Sequence, residues 1–264
     1  MTLKQKIFLA TIIAVVLLNA IAFIFLRGVF KETKETAPRQ VPKATVAIVI
    51  DDWGYNLDCI KLLRQIDQPI TVSVLPNLAY SVKTAQVART LGQEVVLHLP
   101  LEPDLEGREY IGLEKDTITA NMDEQTVRSI LNKALANVAG ASGVSNHMGS
   151  QATRDKRLMT IIFNELKKRK LFFLDNRVIG DSVCSALAKA TALECAVRDI
   201  FLDNKNEREY IRGQLRQLQV EALASGAAIG VGHARPMTLE VLKEEIPKMQ
   251  AQGIKFVPVS ALVE

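Results

Sequence analysis

Only three histidines occur among the 264 residues, and each closes a short apolar run: His98 ends EVVLH, His147 ends GVSNH and His233 ends AIGVGH. Carboxylates follow the same pattern. Asp51 and Asp52 end VAIVIDD, Asp175 ends LFFLD and Asp203 ends IFLD. Adjacent carboxylates repel unless a proton or a cation sits between them, and neutral imidazoles nearby suit a divalent transition ion. Each residue alone has an ordinary structural use, since a strand-end aspartate often caps the next helix. A lone histidine near a core is usually a neutral, hydrogen-bonded one. Scattered structural histidines would fall in helices and loops as often as at strand ends, and none does. The conjunction points to one polar cluster with metal chemistry.

Such a cluster needs strands to carry it. From residue 45 onward, short runs rich in Val, Ile, Leu and Phe alternate with segments of helical period. Strands are expected over 46–51, 70–75, 94–99, 143–147, 171–175, 196–202, 227–232 and 254–259. Helices are expected over 57–66, 81–91, 123–138, 155–170, 182–190, 207–224 and 239–252. Gly92, Gly140, Gly226 and Gly253 close four of them, as a left-handed C-terminal cap favours. This is an α/β pattern, either a (β/α) barrel of 7–8 strands, distorted or regular, or a large doubly wound sheet. Apolar residues at successive positions, as in VAIVI, suit strands buried on both faces. The barrel is favoured because its strand ends open on one face, whereas an open sheet gathers ligands at one switch point. Trp53-Gly54, Met148-Gly149-Ser150 and Gly230-Val231-Gly232 are read as leaving room for a ligand's approach. Pro100 and Pro236 stop two strands just past His98 and His233. The longest connection, 101–121, is polar and is expected to form a lid or rim over the same face.

Composition bounds the function. With 48% hydrophobic and 23% charged residues, the chain is neither disordered nor collagen-like. Of 33 basic and 29 acidic residues, seven and two fall within 1–44, which leaves 26 and 27 in the other 220 residues. A near-neutral body lacks the basic footprint of a polyanion partner, so no nucleic-acid binding is expected. Ile7–Leu26 is an uncharged run of 20 residues, just long enough at about 1.5 Å per residue for a hydrocarbon core of about 30 Å. Lys4 and Lys6 precede it and orient the body away from the cytoplasm. Residues 1–30 therefore read as a signal anchor or, through Ala20-Ile21-Ala22, a cleavable signal peptide; the apolar run continues past that site, which favours the anchor. Residues 31–44 read as a flexible linker and 45–264 as one periplasmic or extracytoplasmic domain tied to the membrane. Cys59, Cys184 and Cys195 lack CxxC spacing; a Cys184–Cys195 disulfide and buried free thiols both remain open. No GxSxG, Walker or GxGxxG motif occurs, which argues against a serine hydrolase, an NTPase or a dinucleotide enzyme.

The stretches IVIDDWG (48–54), GQEVVLHLPLEP (92–103), SNHMGS (145–150), FLDNR (173–177), RDIFLDN (198–204) and AIGVGHARP (228–236) resemble the divergent polysaccharide deacetylase family, relatives of NodB-type carbohydrate esterases. The resemblance spans roughly residues 45–262. It implies a (β/α) barrel, often distorted, and a divalent metal that activates water against an N-acetyl group of a cell-envelope glycan. Zinc heads the candidates, and mixed Asp/His ligands also admit cobalt, nickel or manganese. By the same resemblance Asp51 is the general base, Asp52 and His98 are metal ligands, and His233 protonates the leaving amine. Asp175 would orient a catalytic partner. The family's second histidine, four residues after the first, is Glu102 here; His147 is expected to replace it, with Glu102 the alternative. Glu102, Arg177, Arg235 and Asp203 are the expected substrate contacts. The altered metal motif also admits a non-catalytic module that binds glycan or a partner protein. A hydrolase of an ester or another amide is the third reading.

Overall fold

The computed structural model describes residues 2–29, 42–104 and 113–264. Residue 30, residues 31–41 of the expected linker and residues 105–112 of the 101–121 connection lie outside them. Two units form. In the first, helix α1 runs Leu3–Val29, and its exposed apolar segment Leu3–Phe23 is long enough to cross a bilayer.

Among its described residues the second unit, Pro42–Glu264, carries nine parallel strands. They are β1 (Ala44–Trp53), β2 (Thr71–Val74), β3 (Glu94–Leu101), β4 (Gly143–Met148), β5 (Phe172–Asp175), β6 (Cys195–Val197), β7 (Ile200–Phe201), β8 (Ala227–His233) and β9 (Ile254–Val257). Eight of them lie in the order β6-β5-β4-β3-β2-β1-β8-β7, and β9 pairs with the first half of β1. The two edge strands are neighbours in sequence. Eight strands laid flat at about 4.8 Å would set those edges about 34 Å apart. Only Arg198 and Asp199 separate them, and the three backbone steps from Val197 to Ile200 reach about 11 Å at most. The sheet must therefore curl on itself. Across the seam the Arg198 amide donates to Asp175 O of β5, and the Asp199 amide to Ile229 O of β8.

Sequence expectation and structure part here in two respects. Pro100 does not stop its strand, because β3 runs through it to Leu101 beside β4. The run 196–202 is not one strand, because its first half pairs with β5 and its second with β8. The curled sheet is a distorted (β/α) barrel rather than a doubly wound sheet. Seven helices cover it: α2 (Ile60–Leu63), α3 (Ser81–Thr90), α4 (Glu124–Asn137), α5 (Lys156–Lys168), α6 (Cys184–Thr191), α7 (Arg208–Ser225) and α8 (Pro236–Ala251). Asp123 and Asp155 cap α4 and α5 by accepting from the Thr126 and Leu158 amides.

Strand side chains alternate between two cores. Val46, Ile48 and Ile50 face the helices, while Ala47 and Val49 face the barrel interior with Val96, Phe172, Leu174, Ile229 and Val231. Gly230 serves this packing rather than a ligand: a Cβ there would meet Leu218 of α7 at 2.6 Å. All three cysteines are free thiols.

Candidate functional site

The interior-facing series of each strand runs upward into polar residues. After Ala47 and Val49 comes Asp51; after Val96, His98; after Ser145, His147; after Leu174, Asn176; after Val231, His233. The two-residue period thus gathers one carboxylate, three imidazoles and one amide on the C-terminal face. Asp52 would point away by the same rule. It is brought in by a β-bulge: Ile50 pairs with Val72 but Trp53 with Val74, so β1 carries one extra residue. Asp52 itself takes a left-handed backbone, φ 62°. Aspartate tolerates that region better than most residues, and such strain collects at functional sites.

The result is a tight triangle. Asp52 Oδ1 lies 3.0 Å from His147 Nδ1 and 3.2 Å from His98 Nε2, and the two ring nitrogens are 3.2 Å apart. Separations of this size are open to donors that share one ion at about 2.1 Å. One carboxylate and two imidazoles with this spacing fit a divalent transition ion. Burial works to raise the Asp52 carboxyl, but hydrogen bonds from His147 and His98 outweigh it and hold the group far below the ordinary carboxylate range.

Asp51 and His233 flank the triangle. Asp51 is 2% exposed; its Oδ2 accepts from Asn176 Nδ2 at 2.7 Å. Burial pushes its pKa up, against the pull of His98. His233 Nδ1 pairs with Asp203 Oδ1 at 2.9 Å, while its Nε2 lies 3.7 Å from Asp52 Oδ2. Burial lowers the His233 pKa, but the hydrogen bond and charge of Asp203 win and raise it. Burial likewise acts to raise Asp203, and His233 outweighs it, so this carboxyl sits low.

Residues 48–263 match the family model described as divergent polysaccharide deacetylase. The chain belongs to that family. It is 35% identical over 201 residues to an uncharacterized protein of Haemophilus influenzae, covering 76% of this chain and 70% of that one. The crystal structure of an uncharacterized protein from Agrobacterium tumefaciens C58 superposes with a TM-score of 0.79 at 27% identity, covering 83% and 89% of the two chains. The fold alone is shared, at 15% identity, with two further structures. One is the catalytic domain of a peptidoglycan N-acetylglucosamine deacetylase from Eubacterium rectale (TM-score 0.52; 81% and 88% covered). The other is a CE4 family pseudoenzyme from Bacillus anthracis (0.51; 83% and 65%).

Within this member of the divergent polysaccharide deacetylase family the remaining expected site residues take varied places. His147, not Glu102, stands beside His98; Glu102 Oε2 accepts from the Ala120 amide and pins the 101–121 connection. That connection is further tied by an Ile118–Leu101 bridge, Tyr55–Glu114 and Asn77–Asp116, so its described ends form a rim. Asp175 faces the helix side of β5 and accepts from the Arg177 amide and Ser182 Oγ, so its carboxylate closes a turn. Asn176, one residue later, takes the interior place; the strand period could have found it. Asp203 is wholly buried behind His233, accepting also from the His233 amide and Thr238 Oγ1, and so is not exposed to substrate. Arg177 is exposed at the rim. Arg235 lines a cavity of ≈ 140 Å³ with Asp52, Trp53, Tyr55 and His233. Its Nη1 donates to Asp203 O at 2.9 Å.

Proposed function

We propose that this protein is a metal-dependent amide hydrolase that removes acetyl groups from an N-acetylated glycan of the cell envelope. The observation that carries this reading is the Asp52–His98–His147 triangle set between a buried carboxylate and a carboxylate-backed imidazole. Asp52, His98 and His147 would hold the ion, zinc in the first place. When bound there, it supplies a Lewis acid for the acetyl carbonyl and for the attacking water.

The chain's own groups then move two protons. Asn176 occupies Oδ2 of Asp51, which leaves Oδ1 to take the proton of the attacking water. His233 has Nδ1 committed to Asp203, so Nε2 delivers a proton to the departing amine. Asp203 keeps the ring oriented and cationic. Arg235, at the wall of the small cavity, would hold a hydroxyl or carboxylate of the sugar, and Arg177 a more distant group. The N-terminal helix would tether the domain on the outer side of the membrane.

Metal content of the purified full chain and acetate release from N-acetylglucosamine oligomers and peptidoglycan fragments test the reading. About one transition ion per chain and measurable acetate release are expected. Asp51→Asn should keep the ion and lose acetate release. A chain that takes up no ion on titration rules the reading out. Glycan binding with a bound ion but no acetate release would favour the non-catalytic module, the state named for the Bacillus anthracis relative of this fold.

A further inference from the structure

Asn176 follows β5 and belongs to no strand, yet four hydrogen bonds hold it. β5 pairs with β4 as far as Leu174 and with β6 as far as Asp175; one residue later both ladders have ended and side chains take their place. On the β4 side the Asn176 amide donates to Asn146 Oδ1 at 2.8 Å, and Asn176 Nδ2 donates to Asn146 O at 2.9 Å. The same Nδ2 donates to Asp51 Oδ2 at 2.7 Å. A main-chain carbonyl only accepts, so the contact with Asn146 O identifies Nδ2 whatever the charge on Asp51. Asn146 is wholly buried and its own Nδ2 is taken by Met148 O at 2.7 Å, so this side is rigid.

On the β6 side the partner is Arg198, at the seam between β6 and β7. Its guanidinium spans two successive carbonyls, Nε donating to Asn176 O at 2.6 Å and Nη2 to Arg177 O at 2.9 Å. It lies over the Phe201 ring, 4.7 Å from the centroid. Arg177 has a left-handed backbone, φ 47°, a conformation that persists only where the surroundings impose it. Charge-assisted bonds to the carbonyls before and after it supply that hold. Among the described residues Arg198 makes no hydrogen bond to Asp51, so its geometric hold on that carboxylate runs through Asn176. We infer that Arg198 is a positioning residue that clamps Asn176 from the open side of β5 and thereby fixes where Asp51 stands. The catalytic part of this inference rests on the reading of Asp51 as general base; the clamp does not. A reacting group displaced by about 1 Å can cost about 10²-fold in rate.

The test uses the full chain in detergent and Arg198→Lys, which keeps the positive charge but not the fork that spans two carbonyls. Acetate release should show kcat lowered about tenfold or more with KM within about twofold of the parent. In an Asn176→Ala background the same change should lower kcat by less than about twofold, because the link to Asp51 is already cut. An equal loss in both backgrounds would mean that Arg198 acts on the fold or on another group, and it overturns the inference. An unchanged kcat in the single variant overturns it too. The side-chain amide protons of the ¹⁵N-asparagine-labelled chain give a readout independent of activity, with the Asn176 signal assigned by its loss in Asn176→Ala. They should exchange with solvent slowly in the parent and at least about tenfold faster in Arg198→Lys, since exchange needs the bonds to open. Equal exchange in the two proteins overturns the clamp. A parent that releases no acetate but shows this difference defeats the hydrolase reading while supporting the clamp.

Discussion

Two histidine–carboxylate arrangements stand side by side on one barrel face, and they are built oppositely. At Asp203 the carboxylate is held by three donors on both oxygens: it accepts from His233 Nδ1, from the His233 amide and from Thr238 Oγ1, and it is wholly buried. At Asp52 one oxygen is shared by two ring nitrogens that also crowd each other at 3.2 Å, on a bulged, left-handed residue that is partly open. A carboxylate with a full set of donors can hold one imidazole still and charged. A carboxylate whose donors converge on one point is organised around something in their midst. On the proposed reading the same residue types make a proton holder in one place and a cation seat in the other, and the arrangement of local donors decides which.

The largest effect should come from breaking the seat. Asp52→Ala removes the single oxygen that both imidazoles face. Metal affinity should fall well beyond the 10–100-fold that loss of a supporting partner costs, with acetate release lost in parallel. Mass spectrometry of metal content and a titration check this. Retained metal would mean the triangle is not its site.

Breaking the holder should separate turnover from binding. His233→Ala is expected to lower kcat by about 10²–10⁴, the range for a positioned general acid, with metal content unchanged. Asp203→Asn should act through pH as well. Asp203 raises the His233 pKa above its ordinary 6.5, so in the parent the acid form persists to higher pH. The charged ring stabilises the fold fully below pH 6.5, and this contribution is lost as pH rises through the raised value. With the Asp203 charge gone, burial is opposed only by the charges of Asp52 and Asp51, and the alkaline limb of the rate profile should move to lower pH. An unmoved limb would show that another group sets it.

How much of this could be read before folding follows from the strand period. Seven of the nine strands and their order in the chain are legible because apolar runs end where the histidines and aspartates begin, and the run 196–202 holds the other two. His98, His147 and His233 were found by that rule, since each falls on the interior-facing series. A strand end by itself does not say which face a residue takes. Asp175, on the helix side, therefore reads as a site residue ahead of Asn176, although Leu174 marks the interior. The split at Arg198–Asp199 was hidden for another reason: a run of apolar residues does not say which neighbour each half will pair with. The bulge that turns Asp52 inward was equally invisible, because it depends on pairing with β2 and on a φ that aspartate permits but does not announce. Asp203 was placed with the substrate because nothing in IFLDN reveals that Thr238 and the His233 amide would enclose it.

The finest test of the two arrangements is Thr238→Val. The change keeps side-chain shape and removes one donor, at 2.7 Å, from Asp203 Oδ2. That oxygen keeps the His233 amide, and Oδ1 keeps the imidazole, so the carboxylate is loosened without being exposed. Loss of one such bond should cost about 1 kcal/mol of stability, read from chemical denaturation. A carboxylate held by two donors instead of three should steer His233 less well, so kcat should drop a few-fold with KM steady. Metal affinity should not move, because no atom of the triangle touches Thr238. If it did fall, the holder and the seat would be one coupled network through the His233 Nε2–Asp52 Oδ2 approach at 3.7 Å. The separation of their roles would then have to be given up.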